Sequence, residues 1–425
     1  MSNSRNSRDE TDRLERRRGT SQERSVERRS RIAQAAIEIL ASHGVAGVTH
    51  RLVAAKAADS LAATTYYFDS KYDMVAEASG IVLGSYAESF RRSAARIRGE
   101  GRDANTFKQF VRRLIRNAAI RDRMRTICWA EIILDAHRHQ ENLVLARRWF
   151  AELDSLWLEI AKAARMRQPV AVGRSAIDLV IGLLFMTIAL GLNEEQVDAV
   201  LAEGRDPLDS WSVSKVKRPA KVPVTRLTRK SAETRARILV AAVDLLVSDG
   251  AGAVTYRNIA AKAGLTQAAP FYHFPTVGTL LSAAEKRLFE ESKERYRLAA
   301  SADQRERAFT LDQLIDRTAT VFLREATEFA GKNLAAYAIW LEAARNPELR
   351  PMVWSAISDQ HLAWQRVLSR AMPSQRPLDA LVAQAGFIGK IIRVLATGSA
   401  TDDLSLVRSE IAYDLRELSN SRFWL

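Results

Sequence analysis

Cysteine is nearly missing: the 425 residues contain one, Cys128. That excludes a disulfide framework within the chain and any four-cysteine zinc site, and it points to a reducing, cytoplasmic setting. Glycine (19) and proline (10) are sparse and only 7% of residues are aromatic. Alanine, leucine, arginine and isoleucine dominate instead, and their pattern is helical almost throughout, so the expected fold class is all-α. The opening MSNSRNSRDETDRLERRRG has no apolar core, which argues against a signal peptide or anchor. The longest apolar run, Ala176 to Leu192, carries Asp178. It falls short of the roughly 20 residues a bilayer requires, so it reads as a buried packing helix and no membrane partner is expected. Glycine-rich phosphate loops, HExxH and nucleophile-elbow patterns are all absent, so the chain reads as a non-enzyme without a cofactor. His137 and His139 would point about 200° apart on a helix, which excludes them as a metal pair.

What is abundant is positive charge. The formal net charge is +14, and an acidic polymer such as nucleic acid is the natural partner for it. Its placement is informative: about +4 falls in residues 1–31 and about +7 in 205–237. Each basic segment directly precedes a copy of one motif.

That motif is an internal duplication. Residues 31–68 align without a gap on 237–274, at an offset of 206, with roughly half of the positions identical. At an offset of 207 the register persists: LDAHRHQE (134–141) falls on LEAARNPE (341–348), Trp157 on Trp364, Gly182 on Gly389 and Gly191 on Gly398. The expected organisation is a disordered basic tail (1–24), a first motif-bearing domain (25–75), a first helical domain (76–204) and a basic linker (205–230). A second motif-bearing domain (231–281) and a second helical domain (282–425) follow.

Within the first copy, Ile32, Ala36, Ile39 and Leu40 make a helical stripe closed by Gly44. Thr49 then caps a short helix, His50 to Ala57, with Leu52, Val53 and Ala55 or the neighbours of Lys56 on its buried side. The turn Ala58-Asp59-Ser60 leads into Leu61 to Tyr67. Two short helices joined by a tight turn form a helix-turn-helix, whose second helix enters the major groove. The second copy repeats this with Gly250, Thr255 and the turn Gly264-Leu265-Thr266. Pro270 fits the first turn of a helix capped by Thr266. Base edges would be read by Leu61, Ala62, Thr64 and Thr65 in the first copy. Gln267, Ala268, Ala269 and Pro270 take that role in the second, with Gln267 suited to a bidentate contact with adenine. Thr49, Arg51, Tyr66, Tyr67 and Tyr72, with Thr255 and Arg257, are candidates for holding phosphates; Thr266, Tyr272 and His273 complete the second surface.

Both copies closely resemble the DNA-binding domain of the TetR family of repressors. The match rests on TYYFDSKYDMV (65–75) and FYHFPTVGTLL (271–281). The resemblance implies two units, each a three-helix DNA-binding domain followed by a helical ligand-binding and dimerisation bundle, and it implies a phosphate contact for Lys71. Two departures stand out. Val277 occupies the lysine's place in the second copy, and Ala58-Asp59 stand where glycine and an aliphatic residue are usual.

By the same resemblance, a small-molecule effector would bind inside the sensor bundles. The candidates there are Trp129, Glu131, His137, Trp149 and Trp157, then Tyr337, Trp340, Glu342, Trp354, His361 and Trp364. The family's dimer helices correspond to Ala176–Leu192 and Leu378–Thr397, which in a fused chain would pack on each other as an intramolecular pseudo-dimer. The expected partners are therefore double-stranded operator DNA and an effector, and the expected role is a repressor with two non-identical heads. A further homodimer of fused chains, an activator, and a helical ligand-binding or scaffold protein whose heads no longer bind DNA stay open as alternatives.

Overall fold

The computed structural model describes residues 3–100, 103–201, 228–301, 310–372, 374–376, 378–398 and 402–419, all helix or connection with no strand among them. The all-α fold class expected from the sequence is what is seen among the described residues. Residues 205–227 of the expected linker lie outside the described residues.

The first run of helices is α1 (Asn3–Gly47), α2 (His50–Lys56), α3 (Leu61–Tyr67), α4 (Lys71–Glu100), α5 (Ala104–Arg116), α6 (Arg123–Asp135), α7 (Gln140–Ala163), α8 (Pro169–Leu190) and α9 (Glu194–Leu201). The second run is α10 (Arg229–Ser248), α11 (Tyr256–Ala263), α12 (Ala268–His273), α13 (Val277–Ser301), α14 (Leu311–Ala326), α15 (Ala330–Arg345), α16 (Arg350–Ala371), α17 (Asp379–Thr397) and α18 (Asp402–Ser419). The second run repeats the order of the first, from a short-helix pair through a long connecting helix to a late apolar one.

Two expectations change at the start of the chain. Residues 3–24, expected as a disordered tail, are helical and continuous with the first motif helix. Arginine and glutamate both favour helix. Gly44, at φ 68°, ends the regular part of α1 as its sequence position suggested. In α2 the buried residues are Val53 and Ala54; Ala55, expected inside, is exposed.

The centre of the molecule is the crossing of α8 and α17. A Cβ added at Gly182 would lie 1.9 Å from the Ala385 carbonyl oxygen, and one at Gly389 would lie 1.8 Å from that of Asp178. Only glycine permits this approach, because the two backbones touch. Both helices are long and apolar enough to cross a membrane, but each is largely buried in this protein core instead.

One charged cluster sits in that apolar crossing. Asp178 is fully buried and accepts hydrogen bonds from Arg393 Nε (2.7 Å), Arg393 Nη2 (3.0 Å) and Lys390 Nζ (2.7 Å). Glu410 accepts from both cations at 2.7 Å, and Ser175 donates to Asp414. Burial alone would raise Asp178, but Arg393 and Lys390 outweigh it and hold the carboxylate below its usual range. The cluster is satisfied, which is what lets charge persist at this depth.

Candidate nucleic-acid interface and ligand cavity

Each head is built from caps and one tight turn. In the first, Thr49 Oγ1 accepts from Leu52 N at 3.2 Å and starts α2, while Ser60 Oγ accepts from Ala63 N at 3.1 Å and starts α3. The turn between them passes through Ala58 at φ 51°. The equivalent residue of the second head is Gly264, at φ 62°. The two turns share one backbone shape, and Ala58 adopts it at a cost of about 1 kcal/mol because its Cβ crowds the carbonyl.

Asp59 does not face outward as an isolated acid. Arg28 reaches it with Nε at 2.7 Å and also with Nη2, and Arg31 Nη2 donates at 2.9 Å. The hydrogen bonds from Arg28, then that from Ser60 N and the one from Arg31, hold its carboxylate well below the usual range despite the loss of water. In the second head the residue matching Arg31 is Arg237, whose Nη2 donates to the Ala263 and Gly264 carbonyls. One arginine thus steadies the turn in both heads, through an acid in the first and through the backbone in the second. This clamp was not anticipated.

The reading helices divide the expected residues. Leu61 (53% exposed), Ala62, Thr65 and Tyr66 (80%) face out of the first head. Thr64 does not: it is fully buried, and its hydroxyl donates back to the Leu61 carbonyl at 2.8 Å. Thr64 lies one step off the outward face, so its expected contact with bases is withdrawn. Thr65 is exposed with its hydroxyl donating to the Ala62 carbonyl at 3.1 Å. Tyr67 is half-buried, accepts from Ser25 Oγ at 3.1 Å and meets Tyr66 edge-on. Tyr72 is half-buried beside His139, with the Lys71 ammonium 4.8 Å from its ring centre. Lys71 opens α4, and Arg51 is exposed on α2.

In the second head Thr266, Gln267, Phe271 (60%) and Tyr272 (81%) are exposed, with Ala269 and His273 half-buried. Pro270 is buried in the first turn of α12, so it fits the helix as expected but is withdrawn as a base contact. The N-cap of that helix is Gln267 rather than Thr266. Phe271 was missed; its position matches Thr65, and the outward face of that pair was the available signal. Thr255 Oγ1 accepts from Asn258 N at 3.2 Å, so it caps α11, and Arg257 is exposed. The root of both reading helices is alike: Arg29 lies over the Phe68 ring and Arg235 over that of Phe274.

The heads are held from across the molecule. Arg138 Nε donates to the Val247 carbonyl at 2.9 Å and Nη2 to that of Leu246 at 2.7 Å, at the carboxyl end of α10. Arg345, which the repeat aligns with Arg138, donates to the Ala41 carbonyl at 2.8 Å and that of Leu40 at 3.5 Å, near the end of α1. Terminal carbonyls of a helix lack partners within it, so an arginine there satisfies them. Arg345 also pairs with the half-buried Glu131. His137, expected near a ligand, belongs to the same seam: its ring nitrogens lie 2.8 Å from the Leu134 carbonyl and 2.9 Å from that of Val247.

The two bundles differ in what they leave open. Between α13, α14, α15, α16 and α17 is a cavity of about 210 Å³, lined among others by Tyr337, Trp340, Trp364 and Phe387. The matching place in the first bundle holds about 50 Å³, walled by Trp129, Trp149 and Trp157. There Phe107, Phe110 and Phe90 close around the Trp157 ring at 6.0, 5.4 and 5.3 Å between centroids. Of the expected ligand residues, Tyr337, Trp340 and Trp364 come together in the larger space. Trp129 lines only the smaller one, while Trp354 and His361 pack outside both cavities, His361 fully buried. Among the described residues no cluster suits a metal ion.

Glu285 stands at the wall of the larger cavity, 2% exposed, and accepts from Trp340 Nε1 at 2.8 Å. Burial raises its carboxyl to about 7, although the Trp340 bond works in the opposite direction.

Comparison with known proteins agrees with this geometry in the second run of helices. Residues 238–284 match the family model "Bacterial regulatory proteins, tetR family", and residues 309–418 match "Tetracyclin repressor-like, C-terminal domain". That part of the chain therefore carries TetR-family regulator domains, with a helix-turn-helix of the DNA-binding, transcription-regulating kind. No curated protein matches the chain. One solved structure, described as multidrug binding protein EbrR complexed with imidazole, is similar at 24% identity and a TM-score of 0.34, over 42% of this chain and 93% of that one.

Proposed function

We propose that the chain is an effector-released transcriptional repressor in which two unequal DNA-reading heads are carried by two TetR-like halves paired as a built-in dimer. The observation that carries this reading is the reciprocal grip of Arg138 on α10 and Arg345 on α1, at positions the repeat makes equivalent. A pair of equivalent contacts, each reaching into the other half, is what a pseudo-twofold axis produces.

The charge in the α8–α17 crossing supports pairing of unlike halves. Asp178 aligns with Ala385, Lys390 with Leu183 and Arg393 with Met186. Two copies of the first half would bring Asp178 against Leu183 and Met186, leaving a buried charge unpaired. The heads differ as well: Gln267 offers a bidentate contact to adenine in the second, while Leu61 and Thr65 offer apolar and methyl contacts in the first. The two half-sites would then differ.

The sensing is assigned to the second half, where the larger cavity lies. Its walls reach both heads. Helix α13 runs directly on from the second reading helix, and α15, which bears Tyr337 and Trp340, ends at Arg345 on the first head. A ligand favouring one arrangement of these helices would shift the spacing of the heads away from successive major grooves.

Gel shift with the promoter-proximal DNA of its own gene tests the reading. Binding is expected, and Gln267→Ala should weaken one half-site by ~1–3 kcal/mol. Equal loss at both half-sites would contradict two distinct readers.

A further inference from the structure

Resting on the sensor role of the second half, we propose that its cavity is built for an organic cation: an apolar, aromatic-sized body bearing a protonated amine that docks on Glu285. The cavity offers aromatic faces from Tyr337, Trp340, Trp364 and Phe387, which suit an apolar body and also a positive charge. Against them stand two nearly fully buried acceptors. Glu285 uses one oxygen for Trp340, and its Oε2 has no hydrogen-bond partner. Gln384, 1% exposed, spends its amide nitrogen on the Ile357 carbonyl at 3.0 Å and leaves Oε1 without a partner. Buried oxygens are costly when unpaired, and a ligand that donates hydrogen bonds satisfies them.

The sign of the charge follows from the other ionisable groups on the wall. Arg295 is neutralised by Glu325 through two bonds of 3.1 and 3.0 Å, and Lys332 is engaged by Glu291, a carboxylate it shares with Arg287. Arg317 on α14 also lines the space and has an interaction of its own, and no charged side chain acts on Glu285. The carboxylate lacking a counter-ion is thus Glu285. An anionic ligand could engage Arg295 Nη1, which has no hydrogen-bond partner, but that guanidinium's charge is already matched.

The first half has lost this chemistry. The repeat places Ser79 at the position of Glu285, and Ser79 Oγ accepts from Trp149 Nε1 at 2.7 Å. Ile177 stands at the position of Gln384. Neutral residues and a filled core leave nothing there to recruit a cation.

The test uses the full chain and three probes of one shape: phenethylamine, phenethyl alcohol and phenylacetate. Binding is read from intrinsic tryptophan fluorescence without DNA. At pH 8 the amine is expected to bind about tenfold or more tighter than the alcohol, as a charge-assisted hydrogen bond provides. Because Glu285 must be ionised to hold the amine, that affinity should rise roughly tenfold from pH 6 to pH 8. Glu285→Gln should abolish both the preference and the pH dependence while leaving the alcohol's affinity in place, which shows that the cavity survives. Equal binding of amine and alcohol, tighter binding of phenylacetate, no saturable binding of the amine, or an unchanged preference in Glu285→Gln would each overturn the assignment. Release of operator DNA is measured separately. Selective amine binding without release would leave the cavity assignment standing and refute the sensor role.

Discussion

Replacing Asp178 by alanine should be among the most damaging single changes in the core. The carboxylate is the shared partner of Lys390 and Arg393, which are 1% and 3% exposed, and it accepts three hydrogen bonds of 2.7 to 3.0 Å. Alanine is sterically acceptable, since the equivalent position, Ala385, already faces the same crossing. The loss is therefore electrostatic. Removing one partner of a buried ion pair costs about 3–5 kcal/mol, a fall of roughly a hundred- to several-thousand-fold in the folded ratio. Glu410 remains beside both cations, which places the expected value near the lower end, ~3 kcal/mol. Urea unfolding at pH 7, followed by tryptophan fluorescence, reads it as a lower midpoint at constant slope. Adding Lys390→Leu and Arg393→Met, the residues of the equivalent positions, removes the stranded charges and should recover most of the loss. A cost below about 1 kcal/mol for Asp178→Ala would refute the claim that this cluster specifies the crossing. The pH dependence has a definite sign. Asp178 is held below its usual value in the fold, so its stabilisation is present above the unfolded carboxylate range, about pH 4, and is lost as pH falls through the lowered value.

Other substitutions test the heads and their supports. Ala58→Gly should stabilise the first head by about 0.5–1 kcal/mol by relieving the left-handed turn, and Gly264→Ala should cost a similar amount in the second; thermal unfolding reads both. Gly182→Ala should force α8 and α17 apart and cost roughly 1–3 kcal/mol or more, seen as a lower Tm. Arg345→Ala should weaken reading of the first head's half-site more than the second's, and Arg138→Ala the reverse, in binding assays on each half-site; matching losses at both would deny the crossed grip.

The sequence was a good guide wherever the signal was local. Caps at Thr49 and Thr255, the left-handed turn at Gly264 and the reading helices are set by residues within a few positions, and short-range chemistry makes them readable. Thr64 failed for a reason of phase. On a seven-residue helix one step turns a side chain about 100°, and hydrophobicity does not separate a buried threonine from an exposed one. Asp59 read only as a departure from the usual aliphatic residue, because its partners, Arg28 and Arg31, lie a whole helix earlier in the chain. The resemblance set the segments around Gly182 and Gly389 against each other, and those two glycines allow the backbones to touch. The repeat aligned Arg138 with Arg345, yet each bond joins residues more than a hundred positions apart, where no spacing rule applies. Aromatic content alone did not reveal which bundle stays open: Trp157 is sealed by three phenylalanines, whereas Trp364 borders a space.

The central claim is that one chain places two different heads on one operator. Footprinting an operator selected from random DNA, with the mass of the complex determined in parallel, tests it most directly. The account expects one chain of 47.5 kDa per duplex, protecting two dissimilar half-sites about 34 Å apart, one turn of the helix. Two chains per duplex, or half-sites related by an exact palindrome, would contradict it.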